Sequence, residues 1–204
     1  MTLQCEKLGV NIMYNTPATE ENVLAKKYDK VILAAGSSPF VPKIEGIENA
    51  VGACDYLTHQ AKTGKKVVVI GGGLAGTESA VDLAMNGADV TVVEMLPDIL
   101  AVANHCLNND QHLRKMVRTN NVKVVGDAKV TKITPESVTY EKDGVEETIP
   151  CDTVINAVGF RANNQLEDFL LDHYDDVAVV GDAVAPRKIL TAVHEGYHAI
   201  RVTE

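Results

Sequence analysis

The feature that most constrains the fold is a run of four apolar residues, Val67 to Ile70, that ends directly in Gly71-Gly72-Gly73-Leu74-Ala75-Gly76. A short, β-branched apolar run with no polar alternation reads as a strand buried on both faces, as strands of parallel sheets are. The glycines fit the pattern G-x-G-x-x-G, and each has a mechanical reason. Gly71 permits a tight turn out of the strand. Gly73 carries no Cβ, so a pyrophosphate can approach the backbone. Gly76 lets the next helix lie close to the strand. That helix is predicted from about Ala75 to Asn86, with Gly76, Ala80, Leu83 and Ala84 on one small-residue face and Gly87 as its stop. Asp89 to Glu94 is the next strand. Strand, glycine turn, helix and strand together form a Rossmann nucleotide-binding unit.

The start of such a helix offers N–H groups without helical partners, here those of Leu74 and Ala75, and a partial positive charge for phosphate. Glu94 follows Gly76 by 18 residues, close to the interval of about 20 at which an acid reaches the adenosine ribose. A carboxylate there accepts hydrogen bonds from both ribose hydroxyls and repels the extra phosphate of NADP. The residues after it are Met95, Leu96 and Pro97, with no Arg to offset that repulsion. The expected ligand is therefore NAD(H). The plainer reading, a glycine-rich turn beside a solvated Glu, leaves the order of strand, turn, small-faced helix and acid unexplained. A P-loop is excluded because no Gly-Lys-Ser/Thr follows the turn. A methyl-transfer cofactor, the nearest rival, needs fewer glycines and no phosphate cradle.

Elsewhere the chain alternates short strands and helices. Strands are predicted at Gly9–Met13, Tyr28–Ala35, Val122–Val125, Asp152–Val158 and Val177–Val180, and helices at Leu107–Arg118 and from Ile189 onward. Three segments, Lys129–Ile133, Ser137–Glu141 and Glu146–Ile149, read as an antiparallel β-meander, with Asp143-Gly144 as a hairpin turn. The run from Ser37 through Pro39 and Pro42 to Gly46 cannot be helical and reads as a linker. Two lobes result. Residues 51–159 form a continuous nucleotide-binding domain; residues 1–50 and 160–204 form a split lobe around it.

Composition narrows the function classes. With 46% hydrophobic residues the chain is globular, and with only 4% aromatics and no Trp its cores must rest on Val, Ile, Leu and Ala. A net charge of −9 argues against nucleic-acid binding, which needs clustered cations. No apolar run approaches the ~18 residues of a membrane span, and the first residues do not resemble a signal peptide. The expectation is a cytoplasmic protein. Cys5, Cys54, Cys106 and Cys151 form no C-x-x-C pair, so they are expected to be small core residues rather than metal or disulfide partners. His194 and His198 have the i, i+4 spacing of a metal pair but no third ligand spaced to join them, and no metal is expected. His105 and Cys106 are adjacent, hence divergent, and are not read as a catalytic pair.

The whole pattern resembles the pyridine nucleotide-disulfide oxidoreductase-like flavoproteins of class II, in which an NAD(P)H domain is inserted into an FAD domain. Residues 67–94 resemble the family's NADH fingerprint. Ala34-Ala35-Gly36 resembles its Ala-Thr-Gly strand end, Ala157-Val158-Gly159 the counterpart closing the NAD domain, and Gly181-Asp182 its Gly-Asp motif. Within the superfamily, Gly181 through Ile189 and Ala192 through Tyr197 are most similar to the C-terminal region of Old Yellow Enzyme-like reductases: the 2,4-dienoyl-CoA reductase, 2-enoate reductase and NADH:flavin oxidoreductase types. The resemblance implies an α/β Rossmann-like fold inserted into a partial FAD-type domain, and an enzyme that passes a hydride from NADH to FAD and onward to an enoate-type acceptor. It implies Gly71, Gly73, Leu74, Ala75, Gly76, Glu94 and Gly159 at NAD, and Gly36, Gly181 and Asp182 at FAD. Glu78 carries two readings: a carboxylate near the nicotinamide, as in the family, or one that stabilises the helix N-terminus. The family's second G-x-G-x-x-G, which holds the FAD pyrophosphate, does not precede Gly9. The chain is therefore expected to be a fragment of a larger enzyme, inactive alone, with no catalytic residue of its own for the final step. Its implied partners are the parent's remaining domains, where FMN and an iron–sulfur centre would lie, and a second copy of itself. The competing class is a non-catalytic module that binds NAD or ADP.

Overall fold

The structure, a computed structural model, describes residues 2–101 and 107–201; His105 and Cys106 lie outside them. In chain order the elements begin with α1 (Thr2–Lys7), α2 (Glu20–Leu24), β1 (Val31–Leu33), β2 (Ser37–Pro39), β3 (Val51–Gly52), α3 (Ala53–Leu57), β4 (Lys66–Ile70), α4 (Leu74–Met85) and β5 (Asp89–Val93). They continue with α5 (Leu107–Thr119), β6 (Lys123–Val125), β7 (Lys129–Thr134), β8 (Ser137–Lys142), β9 (Val145–Pro150) and β10 (Thr153–Asn156). The last are β11 (Phe160–Ala162), α6 (Glu167–His173), β12 (Val177–Val179) and α7 (Ile189–Arg201). The chain divides into two compact units, residues 38–161 and residues 1–37 with 162–204.

The larger unit has three layers. Its centre is a five-stranded sheet of order β3-β10-β4-β5-β6, parallel throughout. Strand alternation sorts the side chains. Val67, Val69, Val90 and Val92 face one way and pack with Ala80, Val81 and Leu83 of α4 and Val117 of α5. Val68, Ile70, Val93 and Val154 face the other way and pack with Val130, Ile133, Val138 and Tyr140 of the antiparallel meander β7-β8-β9. Each face has its own cover, which explains the unbroken apolar run in β4. The β8–β9 turn places Asp143 and Gly144 at φ +54° and +76°, as a two-residue hairpin of this type requires.

The unit begins before residue 51. Ile44, Ile47 and Ala50 pack on the meander-side core, and Ile133 N–H donates to the Glu45 carbonyl at 2.8 Å. The stretch read as a linker is therefore part of a body, held by Ile44 between Pro42 and Gly46 and by Ile47 and Ala50 just after it.

In the other unit β1 and β12 form a parallel pair, Val31 beside Val177 through Leu33 beside Val179. The Tyr174 hydroxyl donates to the carbonyls of Val23 and Lys26 at 2.9 and 3.0 Å, tying the end of α2 to the end of α6. The predicted strand Gly9–Met13 is not one: these residues take no regular form, and Val10, Ile12 and Met13 are exposed. A strand persists only where its N–H and C=O groups find a ladder, and among the described residues none is supplied. Strands β1 and β10 are likewise shorter than the apolar runs that announced them, because pairing stops at Leu33 and Asn156. Among the described residues no helix is long and apolar enough to cross a membrane.

Candidate functional site

In an open α/β sheet, ligands settle beyond the carboxyl ends of the strands where the strand order reverses. Here that point lies between β4 and β10, because the chain leaves β4 toward β5 on one side and β10 fills the other. The glycine turn stands at this point. Gly71 has φ +98°, which strains any residue with a side chain, and a Cβ on it would lie 2.6 Å from the Ala157 carbonyl. A Cβ on Gly76 would fall 1.9 Å from the Gly71 carbonyl oxygen and 3.1 Å from the Ala157 Cβ. These two glycines are required by the close packing of α4, β4 and the end of β10.

Gly73 is different. Its φ of −67° suits any residue, and no atom lies within 4 Å of where its Cβ would be. It is the N-cap of α4 and offers no side chain to bond the first N–H groups. The N–H groups of Leu74 and Ala75 belong to that uncapped turn, while Thr77 N–H donates to the Gly73 carbonyl at 2.9 Å. Open space at Gly73 and a 12-residue helix with no side-chain cap fit the phosphates of a dinucleotide. Glu78 is the fifth helical residue, not part of the first turn, and it is exposed. This corrects its reading as a stabiliser of the helix start, because that effect fades beyond the first turn.

Glu94 does more than its spacing suggested. Its Oε2 accepts from the N–H of Gly72, and its Oε1 accepts from the N–H of Leu96 at 2.8 Å. The half-buried carboxylate thus joins the glycine turn to the loop after β5. Gly72, a variable position of the motif, is also constrained: a Cβ there would meet Ile99 Cγ2 at 2.7 Å and Glu94 Oε2 at 3.2 Å. Sequence reasoning missed this residue because the signature assigns it no role. At the far side of the reversal point, Gly159 has φ +108° with open space beside it, and its carbonyl accepts from Phe40 N–H at 2.9 Å. Asn156 ends β10 with its Nδ2 bonded to the Phe40 carbonyl and its buried Oδ1 without a hydrogen bond, the only such buried side-chain atom among the described residues.

The residues assigned by resemblance to FAD lie in the other unit. Gly36 has φ +71° and open space around it, and its carbonyl accepts from Asn163 N–H at 3.0 Å. The Asp182 carboxylate accepts from the Ser37 hydroxyl at 3.2 Å and the Arg187 N–H at 3.1 Å. Gly181 N–H donates to Glu195 Oε2 at 2.8 Å, and Glu195 Oε1 pairs with the Arg187 guanidinium at 2.6 Å. Ser37, Asp182, Arg187 and Glu195 thus form one polar network around Gly181, which no local motif announced. Both Asp182 oxygens keep free lone pairs for a further donor, so the group fits a hydroxylated ligand. His194 and His198 line an open groove of about 520 Å³ between β12 and α7. No cluster of metal-ligating side chains occurs among the described residues. Cys5 and Cys54 are partly exposed free thiols, and Cys151 is buried.

Comparison with known proteins matches residues 3–196 to a family described as pyridine nucleotide-disulphide oxidoreductase. Cinnamate reductase of Clostridium sporogenes is 33% identical over 195 residues, covering 95% of this chain and 29% of that protein. NADH oxidase of Thermoanaerobacter brockii is 36% identical over 202 residues, covering 95% of this chain and 31% of its own. The solved structure of a 2-naphthoyl-CoA reductase complexed with 2-naphthoyl-CoA superposes with a TM-score of 0.83 at 31% identity, covering 97% of this chain and 30% of that one. The chain thus spans less than a third of the length of each of these relatives.

Proposed function

The chain belongs to the pyridine nucleotide-disulphide oxidoreductase family, and from that premise we propose that residues 38–161 are the NADH-binding body of an FAD-dependent reductase. When bound, NADH supplies a hydride, FAD accepts it, and the electrons leave for a further acceptor. The residues of this chain bind and orient. The α4 N-terminus, through Leu74 and Ala75, holds the pyrophosphate over Gly73. Glu94 accepts the adenosine ribose hydroxyls on the lone pairs left free by Gly72 and Leu96, so NADH is preferred to NADPH. Gly159 leaves room for the nicotinamide end. Gly36, Gly181 and Asp182 contribute to the flavin site. The relatives include reductases named for cinnamate and 2-naphthoyl-CoA, which supports a conjugated acceptor. Because those relatives are about three times as long, the centre that reduces the acceptor is assigned to further domains of a parent chain.

The observation that carries this reading is the uncapped start of α4, opening onto empty space at Gly73 with Glu94 fixed beside it. The test is calorimetric titration of this chain with NADH, NADPH and ADP, and, on the full-length parent protein, flavin absorbance followed as NADH is added. NADH should bind more tightly than NADPH and bleach the flavin. Tighter NADPH binding would reject the role of Glu94. NADH binding with no change in the flavin would favour the non-catalytic module.

A further inference from the structure

The loop after β5, residues 94–101, crosses the glycine turn as a strap. Leu100 N–H donates to the Gly72 carbonyl at 2.7 Å, and Ile99 packs where a Gly72 side chain would be. Ile99 and Leu100 are 3% and 1% exposed. Leu100 has φ +59°, a left-handed conformation that a leucine holds only where its surroundings impose it.

One side chain imposes it from outside. Arg114, on α5, donates from Nη2 to the Ile99 carbonyl at 2.7 Å and from Nη1 to Asp98 Oδ2 at 2.5 Å. Its Nε donates to Asp110 Oδ1 on its own helix at 2.5 Å. Asp98 in turn accepts from Ile99 N–H at 2.8 Å. Two of the three guanidinium contacts therefore go to the strap, at Asp98 and at the Ile99 carbonyl just before Leu100. A planar fork with fixed donor directions can hold a carbonyl and a carboxylate together; an ammonium cannot hold both in that geometry.

We infer that Arg114 is a positioning residue for the nucleotide: through the strap it fixes Gly72, and through Gly72 it fixes the Glu94 carboxylate that meets the ribose. This inference rests on the nucleotide reading above. Arg114 touches no ligand itself. Its charge is committed to Asp98 and Asp110 and is not offered to the extra phosphate of NADPH.

The test is a double-mutant cycle on the full chain, reading NADH and NADPH affinity by calorimetry. Arg114→Ala is expected to weaken NADH about tenfold, equivalent to about 1.4 kcal/mol, and to narrow the preference for NADH over NADPH. Arg114→Lys should recover only part of the loss. In a Glu94→Ala background the same Arg114→Ala change should cost less than about twofold, because the two residues act along one path. A purely structural arginine would lower NADH and NADPH affinity equally and add to Glu94→Ala in full, and that result overturns the inference. If Arg114→Ala does not fold, Asp98→Asn serves: it weakens one grip on the strap and should narrow the preference, and an unchanged preference overturns the inference. Wild-type protein that binds neither nucleotide refutes the nucleotide reading and this inference together. Wild-type binding with unaltered Arg114 variants refutes the inference alone.

Discussion

Replacing Glu94 by alanine is expected to move two quantities at once, because the carboxylate serves both the fold and the ligand. In the folded chain it accepts from Gly72, which is buried, and from Leu96, which is half-buried. A hydrogen bond to a charged acceptor contributes about 1.5–3 kcal/mol, and a buried N–H left unpaired costs about 1–3 kcal/mol. Water can reach the Leu96 side, so the sum is set near the lower end, about 2–3 kcal/mol. For a protein of this size that corresponds to a fall in Tm of roughly 5–10 °C. Glu94→Gln should lose about half as much, since its amide oxygen retains one N–H while its amide nitrogen faces the other donor. In parallel, the preference for NADH over NADPH should narrow, because removing the carboxylate removes both the ribose acceptor and the repulsion of the extra phosphate. Scanning calorimetry reads the first quantity and titration calorimetry the second. A Glu94→Ala protein with unchanged Tm and unchanged preference would mean that the carboxylate serves neither the fold nor the ligand.

Three further outcomes follow from the same geometry. Gly76→Ala should destabilise the protein by about 1–3 kcal/mol or more, because its Cβ meets the Gly71 carbonyl backbone and not a movable side chain; denaturant unfolding measures it, and a neutral variant would mean that α4 shifts freely. Burial pushes the Cys151 thiol up, with Asp152 adding to it, so alkylation at neutral pH followed by mass spectrometry should label Cys5 and Cys54 well before Cys151. Burial raises the Asp152 carboxyl, but hydrogen bonds from the N–H groups of Lys66 and Lys65 outweigh it and leave the group below its ordinary value. A carboxylate depressed in the folded state stabilises above its unfolded pKa, about 3.9, and loses that contribution as pH falls through the folded value. Acid unfolding of Asp152→Asn should therefore be less steep below about pH 4, and an acid limb identical to wild type would remove Asp152 as a cause.

How much of this was legible in the sequence depends on whether the cause was local. The stretch from β4 to β5 was readable because Gly71 is demanded by its own φ of +98° and Gly76 by the Gly71 carbonyl, both within that stretch, and the β8–β9 hairpin because Asp143 and Gly144 set their own turn. Gly9–Met13 misled because an apolar run shows the wish for a ladder but not the partner that supplies it. The run from Ser37 to Gly46 misled in the opposite sense: Pro and Gly spoke for a linker, while Ile44 within it, and Ile47 and Ala50 just after, dock on strands far along the chain. Helix α6 was missed, although Glu167 and Asp168 in its first turn and Leu166 and Leu170 at i, i+4 were available signals. At the site, the signature named Gly71, Gly73, Gly76 and Glu94, but not their supports. Gly72 is silent in the motif, and the Arg114 grip on Asp98 and Ile99 joins α5 to a loop many residues away. Ser37, Arg187 and Glu195 around Asp182 were hidden for the same reason: the network closes across the split in the chain.

Whether a dinucleotide phosphate rests on the turn at Gly73 is decided by Gly73→Val. The position has φ −67° and ψ −170°, and no atom stands within 4 Å of an added Cβ. The folded chain therefore accommodates valine, at a cost of about 1 kcal/mol for a poorer N-cap residue. The new side chain would occupy the space through which the pyrophosphate approaches the Leu74 and Ala75 N–H groups. The measurement is NADH affinity of Gly73→Val beside wild type, with circular dichroism to confirm the fold. A loss of about a hundredfold or more, equivalent to about 2.8 kcal/mol, is expected, with the spectrum unchanged. A well-folded Gly73→Val protein that binds NADH as tightly as wild type would contradict this placement of the phosphate.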